Sequence, residues 1–147
     1  MRVSDAGAPR IRFTTTRGEF VLRTLPSAAP VAVARLLERA REGGYDGTVF
    51  HRIVPSFVAQ GGDPRGDGSG SGGATARAEF SGEYYLRGTL GVPRSSEKDS
   101  GGCQLFFCHG STPHLDRNYT ITGIVAEGQE VLDLLDLGDL ILRARVE

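Results

Sequence analysis

Two segments of this 147-residue chain carry side chains that could do chemistry. The first is Val49-Phe50-His51-Arg52-Ile53-Val54-Pro55-Ser56-Phe57-Val58-Ala59-Gln60-Gly61-Gly62-Asp63, which mixes large apolar groups with one guanidinium and one amide before breaking into glycines. The second, Gln104-Leu105-Phe106-Phe107-Cys108, sets another amide beside aromatic rings. Arginine is a permanently charged donor and hardly a base, so a site built on Arg52 would stabilise a lone pair or a charge rather than remove a proton. No carboxylate pair accompanies it, which leaves general acid–base hydrolysis without its usual parts. Strand alternation predicts Phe50, Arg52 and Val54 on one face and Val49, His51 and Ile53 on the other. It likewise sends Gln104 and Phe106 one way and Leu105 and Phe107 the other. One face would feed a core, and the other would offer an aromatic ring beside an amide. Barrel packing with an arginine at the rim produces the same pattern, and periodicity does not choose between them.

The rival motifs are weaker. Cys103, Cys108, His109, His114 and Asp116 suggest a metal site, but the cysteine spacing is wrong for a zinc knuckle and no second pair exists. Cys108 and His109, as neighbours on a strand, would point to opposite faces and so do not make a nucleophilic pair. His51 reads as a packed histidine. The glycine-rich run from Gly61 to Gly73 lacks the Gly-Lys-Ser/Thr of a phosphate loop. Arg65-Gly66-Asp67 spells an adhesion tripeptide that, without a secretory signal, reads as coincidence. The expectation is an activity with no metal and no cofactor.

These residues need elements to hold them. From Ile11 to Leu25 apolar residues alternate around Arg17-Gly18, which predicts a β-hairpin with one buried face. Val33, Leu36, Leu37 and Ala40 then fall at i, i+3, i+4 and i+7, predicting an amphipathic helix opened by Pro30 and closed by Gly43-Gly44. Short strands are predicted at Thr48–Val54, Phe57–Gln60, Gly88–Val92, Gln104–Cys108, Tyr119–Val125 and Leu140–Val146. A second helix is predicted where Val131, Leu134 and Leu135 share a face, with Gly138 as its stop. Many short strands in one domain-sized chain form a sandwich or close into a barrel, and two such helices could cover a barrel's open ends.

Composition bounds the partners. With 17 basic and 18 acidic residues the net charge is -1, which excludes nucleic-acid binding by charge alone. No segment approaches a membrane span. Met1 to Arg10 contains no apolar run of the length a secretory signal needs. Two cysteines are too few for a disulfide scaffold, so the expectation is reduced thiols in a cytoplasmic, monomeric protein.

Phe50-His51-Arg52, Phe57 and Gln60-Gly61-Gly62-Asp63 together resemble the signature of the cyclophilin family of peptidyl-prolyl cis-trans isomerases. Tyr45-Asp46-Gly47-Thr48 before it, and Gly88-Thr89-Leu90, Gln104 to Phe107 and Leu115-Asp116 after it, follow in the family's order. The resemblance runs from about Ile11 to Val146, leaving residues 1–10 as a short extension to an isomerase domain at 11–147. It implies a mainly β fold: a closed eight-stranded antiparallel barrel capped by two α-helices, with substrate bound on its outside. It implies that Arg52 is the catalytic arginine, aided by Phe57 and Gln60. Val58, Phe106 and Leu115 would complete the proline pocket, Gln104 and Gly70 would border the cleft, and Pro93-Arg94 would present backbone to the peptide. Four positions depart from the pattern. Val58 stands where many members have methionine, and Tyr119 where many have a pocket histidine. His114 replaces a tryptophan that contacts cyclosporin, which predicts weak drug binding. Pro93 occupies a stretch where a small residue with a free amide is usual. The implied partners are proline-containing peptides and unfolded clients. A non-catalytic proline-binding module of the same fold is the alternative, motivated by Pro93 and Tyr119.

Overall fold

The computed structural model describes residues 5–73, 75 and 77–147. Eight strands close into an antiparallel barrel: β1 (Arg10–Thr15), β2 (Gly18–Thr24), β3 (Thr48–Val54), β4 (Val58–Asp63), β5 (Thr89–Gly91), β6 (Leu105–Cys108), β7 (Ile121–Glu127) and β8 (Leu140–Val146). Around the barrel the order is β1-β2-β7-β5-β6-β4-β3-β8. Helix α1 (Pro30–Arg41) lies between β2 and β3, and helix α2 (Gln129–Leu134) between β7 and β8. Among the described residues no helix is long and apolar enough to cross a membrane.

The β1–β2 hairpin pairs Phe13 with Phe20 and Thr15 with Gly18, so its two-residue loop is Thr16-Arg17, one position earlier than alternation alone suggests. The Thr15 hydroxyl donates to the Gly18 carbonyl at 2.7 Å and accepts from the Arg17 amide at 3.1 Å. Along α1 the buried residues are Val33, Leu36, Leu37 and Ala40, as the periodicity predicts. Ala29 at its N-cap has no side chain to offer the first amides. Glu79, far along the chain, supplies the cap instead, its carboxylate accepting from Val31 at 3.2 Å and Ala32 at 2.7 Å.

α2 differs from the prediction. Its buried residues are Val131 and Leu132, whereas Leu134 is exposed. The helix ends at Leu134, and Leu135, already extended at φ -64° and ψ 136°, turns inward off the helical period.

The apolar interior is divided. Inside the barrel, Phe13 stacks on Phe20 at 5.1 Å and Phe107 meets both edge-on, amid Leu22, Phe50, Leu90 and Ile141. A second cluster lies outside the barrel wall and contains Val58, Tyr85, Phe106, Cys108, Leu115 and Ile121. β6 is buried at every position because Leu105 and Phe107 face the first cluster while Phe106 and Cys108 face the second.

Candidate active site

β3 and β4 carry the site, and two register shifts between them aim its side chains. Phe50 pairs with Gly61 while Arg52 pairs with Gln60, so His51 is an extra residue on β3. The consequence corrects the alternation. Phe50 points into the barrel, Arg52 points out to solvent, and Ile53 packs back against the barrel interior. Phe50 and Arg52 therefore do not share a face, although Arg52 and Val54 still do. His51 is half-buried over the Gly68 turn, where an added Cβ would stand 3.0 Å from its Nε2. The second shift is on β4, where Gly62 adopts φ 84°, a conformation that favours glycine.

A pocket of about 140 Å³ opens on the outer face, lined by Arg52, Phe57, Val58, Gln60, Pro93, Arg94, Phe106, Leu115 and Tyr119. A hollow of about 330 Å³ adjoins it, sharing Gln60, Pro93 and Arg94 and adding Gly70, Gln104 and the loops around them. His114 lines neither; its exposed ring lies 5.5 Å from that of Phe57. The floor is aromatic. Phe106 stacks on Tyr85 at 5.6 Å, and Tyr119 meets the edge of Phe106 at 5.7 Å. Gly91, opposite Phe106 on β5, is needed there because any Cβ would run into the Phe106 ring. Leu115 is set in place by a short 3₁₀ turn, Pro113–Leu115.

A chain of hydrogen bonds orients the polar side. Gln104 donates through Nε2 to the carbonyls of Gly68 at 2.8 Å and Gly70 at 2.7 Å, which leaves its Oε1 as acceptor. Gln60 donates to that oxygen at 3.1 Å, and its own Oε1 accepts from Arg52 Nη1 at 3.2 Å. Each amide is thus fixed in one orientation by the next. The guanidinium keeps most of its five N–H groups for a ligand.

The loop that offers those two carbonyls is folded around Asp63. Its buried carboxylate accepts from the amides of Arg65 at 2.9 Å, Asp67 at 3.3 Å, Gly68 at 2.6 Å and Gly70 at 3.1 Å. Burial alone would push this carboxyl up, but the four N–H donors together hold it below the usual range. A Cβ on Gly70 would collide with the Asp63 carboxylate.

Sequence reasoning did not find Tyr85, Gly91 or the organising part of Asp63. For Asp63 the signal was present, since a carboxylate followed by a glycine-rich run suits a nest of amide donors. Tyr85 and Gly91 shape the pocket through the Phe106 ring they adjoin, and nothing local in the sequence distinguishes them. Among the described residues no group of three or more His, Cys, Asp or Glu side chains is placed to hold a metal. Cys103 and Cys108 are both free; burial pushes the Cys108 thiol up to about 11. A further cavity of about 170 Å³ lies behind the glycine loop, against α1, lined by Arg39, Tyr45, Cys103 and Leu105 among others. It shares Arg94 and Gln104 with the outer hollow but is lined by neither Arg52 nor the aromatic floor, so the outer pocket is the candidate site.

Fold and site together define a class: a closed β-barrel with an aromatic-floored pocket on its outer wall, beside a guanidinium and an amide. Comparison with known proteins agrees. Residues 10–143 match the family model described as cyclophilin type peptidyl-prolyl cis-trans isomerase/CLD. The chain is 41% identical over 124 residues to peptidyl-prolyl cis-trans isomerase B of Bacillus subtilis, covering 83% of this chain and 86% of that protein. It is 35% identical over 134 residues to the isomerase of Synechococcus elongatus, covering 90% and 92%. A Cryptosporidium parvum cyclophilin, solved in the presence of the dipeptide Ala-Pro, superposes with a TM-score of 0.88 at 26% identity, covering 94% of this chain and 98% of that one. The chain belongs to the cyclophilin family, and it is a peptidyl-prolyl cis-trans isomerase.

Proposed function

We propose that this isomerase binds proline-containing segments in its outer pocket and lowers the rotation barrier without covalent chemistry, with Arg52, Gln60 and Phe57 as the catalytic group. The supporting observation is that Arg52, held by Gln60, stands at the rim of an aromatic pocket sized for one small ring.

An X-Pro amide resists rotation by about 18 to 20 kcal/mol because twisting destroys C–N resonance. At the twisted midpoint the lone pair returns to the prolyl nitrogen. A charged donor aimed there binds the twisted amide more tightly than the planar one, which is the differential binding that catalysis requires. Bringing an event of tens of seconds to milliseconds takes roughly 5.5 to 7 kcal/mol. A hydrogen bond from a charged donor contributes about 1.5 to 3 kcal/mol, so Arg52 alone is insufficient. The remainder comes from moving the amide out of water, which favours the less polar twisted state, and from holding the ring on Phe57, Phe106 and Leu115 while the preceding chain turns.

Gln60 binds the substrate backbone through its remaining N–H, and Gln104 with Gly70 keeps Gln60 in place. His114, exposed against Phe57, offers cyclosporin a smaller ring than tryptophan, and we expect weak binding of the drug. Two free thiols fit a cytoplasmic setting, and we expect unfolded chains as clients. A module that only held proline would need the pocket but not the aligned guanidinium. The test is exchange between cis and trans signals of an Ala-Pro peptide: acceleration supports turnover, and binding without acceleration supports the module.

A further inference from the structure

We propose that Arg94 makes this isomerase selective for X-Pro segments flanked by an acidic residue. The inference rests on the proposed binding of proline in the outer pocket and concerns what lies beside it.

Arg94 stands on the ridge between the proline pocket and the adjoining hollow and lines both. Its guanidinium lies 4.5 Å above the Tyr119 ring. Nε and Nη2 donate to the Asn118 carbonyl at 3.1 and 2.8 Å, and Nη1 donates to the Ser95 carbonyl at 3.0 Å. Three of five N–H groups thus fix the fork, and two remain for a ligand. All the bonded partners are neutral carbonyls, so the charge is placed but not cancelled. Among the described residues no carboxylate lies within ion-pair distance of Arg94 or of Arg52. Neither of these pockets contains an Asp or Glu in its lining, and Arg52 adds a second positive charge to the first; the cavity behind, which Arg94 also lines, carries Glu38 and Glu42, but neither is within ion-pair distance of it. Asp99, on the neighbouring loop, accepts from the Ala78 amide.

This local field does not follow from the whole chain, whose net charge is -1. A peptide crossing the ridge passes a rigid, partly satisfied guanidinium that can take a carboxylate through its two free N–H groups. A basic residue at that point would meet like charge with nothing to screen it but solvent. The side chain of Arg94, not only its backbone, therefore reads the substrate.

The test is a set of Ala-rich peptides with one central X-Pro bond, in which Glu or Gln occupies each flanking position in turn. Isomerisation is measured for the wild type, Arg94→Ala, Arg94→Gln and Arg94→Lys, each checked for fold by its NMR spectrum. The readout is the Glu/Gln ratio of kcat/KM within each enzyme, so a general loss of binding cancels. The expected ratio is about three- to fivefold for at least one position in the wild type at low salt, the size of an exposed ion pair. It should fall towards one at high salt, vanish in Arg94→Ala and Arg94→Gln, and persist in part in Arg94→Lys. A wild-type ratio near one at every position, with the neutral peptides still accelerated, overturns the selectivity and leaves the isomerase reading intact. A ratio that survives in Arg94→Ala also overturns it. Failure to accelerate any peptide would overturn both readings.

Discussion

At the residue scale, the site depends on amides whose orientation is dictated by their neighbours. Gln104 touches no reacting atom in this account; it fixes Gln60, which fixes Arg52. Gln104→Leu should lower kcat by about two- to tenfold, the worth of one neutral hydrogen bond, because Arg52 loses its aim. KM for a neutral peptide should change less. An unchanged kcat would show that the chain of amides positions nothing. The thiols stand outside this machinery. Cys103→Ser and Cys108→Ser should leave the rate nearly unchanged, and a large loss would mean that a thiol takes part. The buried Cys108, its thiol pushed up to about 11, should resist thiol reagents in the folded protein and react readily once denatured.

At the element scale, one strand serves two clusters. Phe107 stands inside the barrel and Phe106 one step along stands in the pocket wall. Phe107→Ala should cost about 3 to 5 kcal/mol of stability, as large core truncations do. Phe106→Ala should instead show as a loss of kcat/KM larger than its loss of stability can explain. Denaturant midpoints and peptide kinetics on the two variants separate the effects, and the opposite ranking would refute the assignment. The β6 alternation was legible in the sequence because the strand is regular. On β3 the face of Phe50 was misread because a bulge is a tertiary feature: His51 is extra only relative to β4. In α2 the misplacement of Leu134 has a similar origin, since the six-residue helix ends before its period can decide which leucine is inside. α1, at twelve residues, was read without error. Its cap was invisible, because Glu79 reaches it from another loop. Glu79→Ala should cost about 0.5 to 2 kcal/mol in stability, measured by urea unfolding.

At the scale of the molecule, the barrel was legible from strand count and resemblance, while the divided interior was not. Two apolar clusters on opposite sides of one wall make the pocket rigid without filling it. The loop folded on Asp63 links the barrel to the cleft, so Asp63→Asn should lower stability and rate together. The molecule also has a pH signature. Hydrogen bonds from Arg145 hold Asp46 low, and those from Arg87 hold Asp133 low. For Asp63 and Asp139 burial pushes upward, but donors outweigh it and both end below the usual range. A carboxyl with a lower value folded than unfolded contributes stability that is complete above its unfolded value. That contribution is lost as pH falls through the folded one. The urea midpoint should therefore be steady down to about pH 5 and drop below about pH 4, where free carboxylates titrate. A midpoint that rose on acidification would contradict the assignments.

The central claim is that the Arg52 guanidinium stabilises the twisted amide. The most direct measurement is two-dimensional exchange NMR on an Ala-Pro peptide at equal concentrations of wild type and Arg52→Ala, with folding of both verified. Exchange far above the peptide's own rate is expected with the wild type, and a loss of about tenfold to a hundredfold in Arg52→Ala while peptide binding is largely kept. Equal acceleration by the two proteins would contradict it.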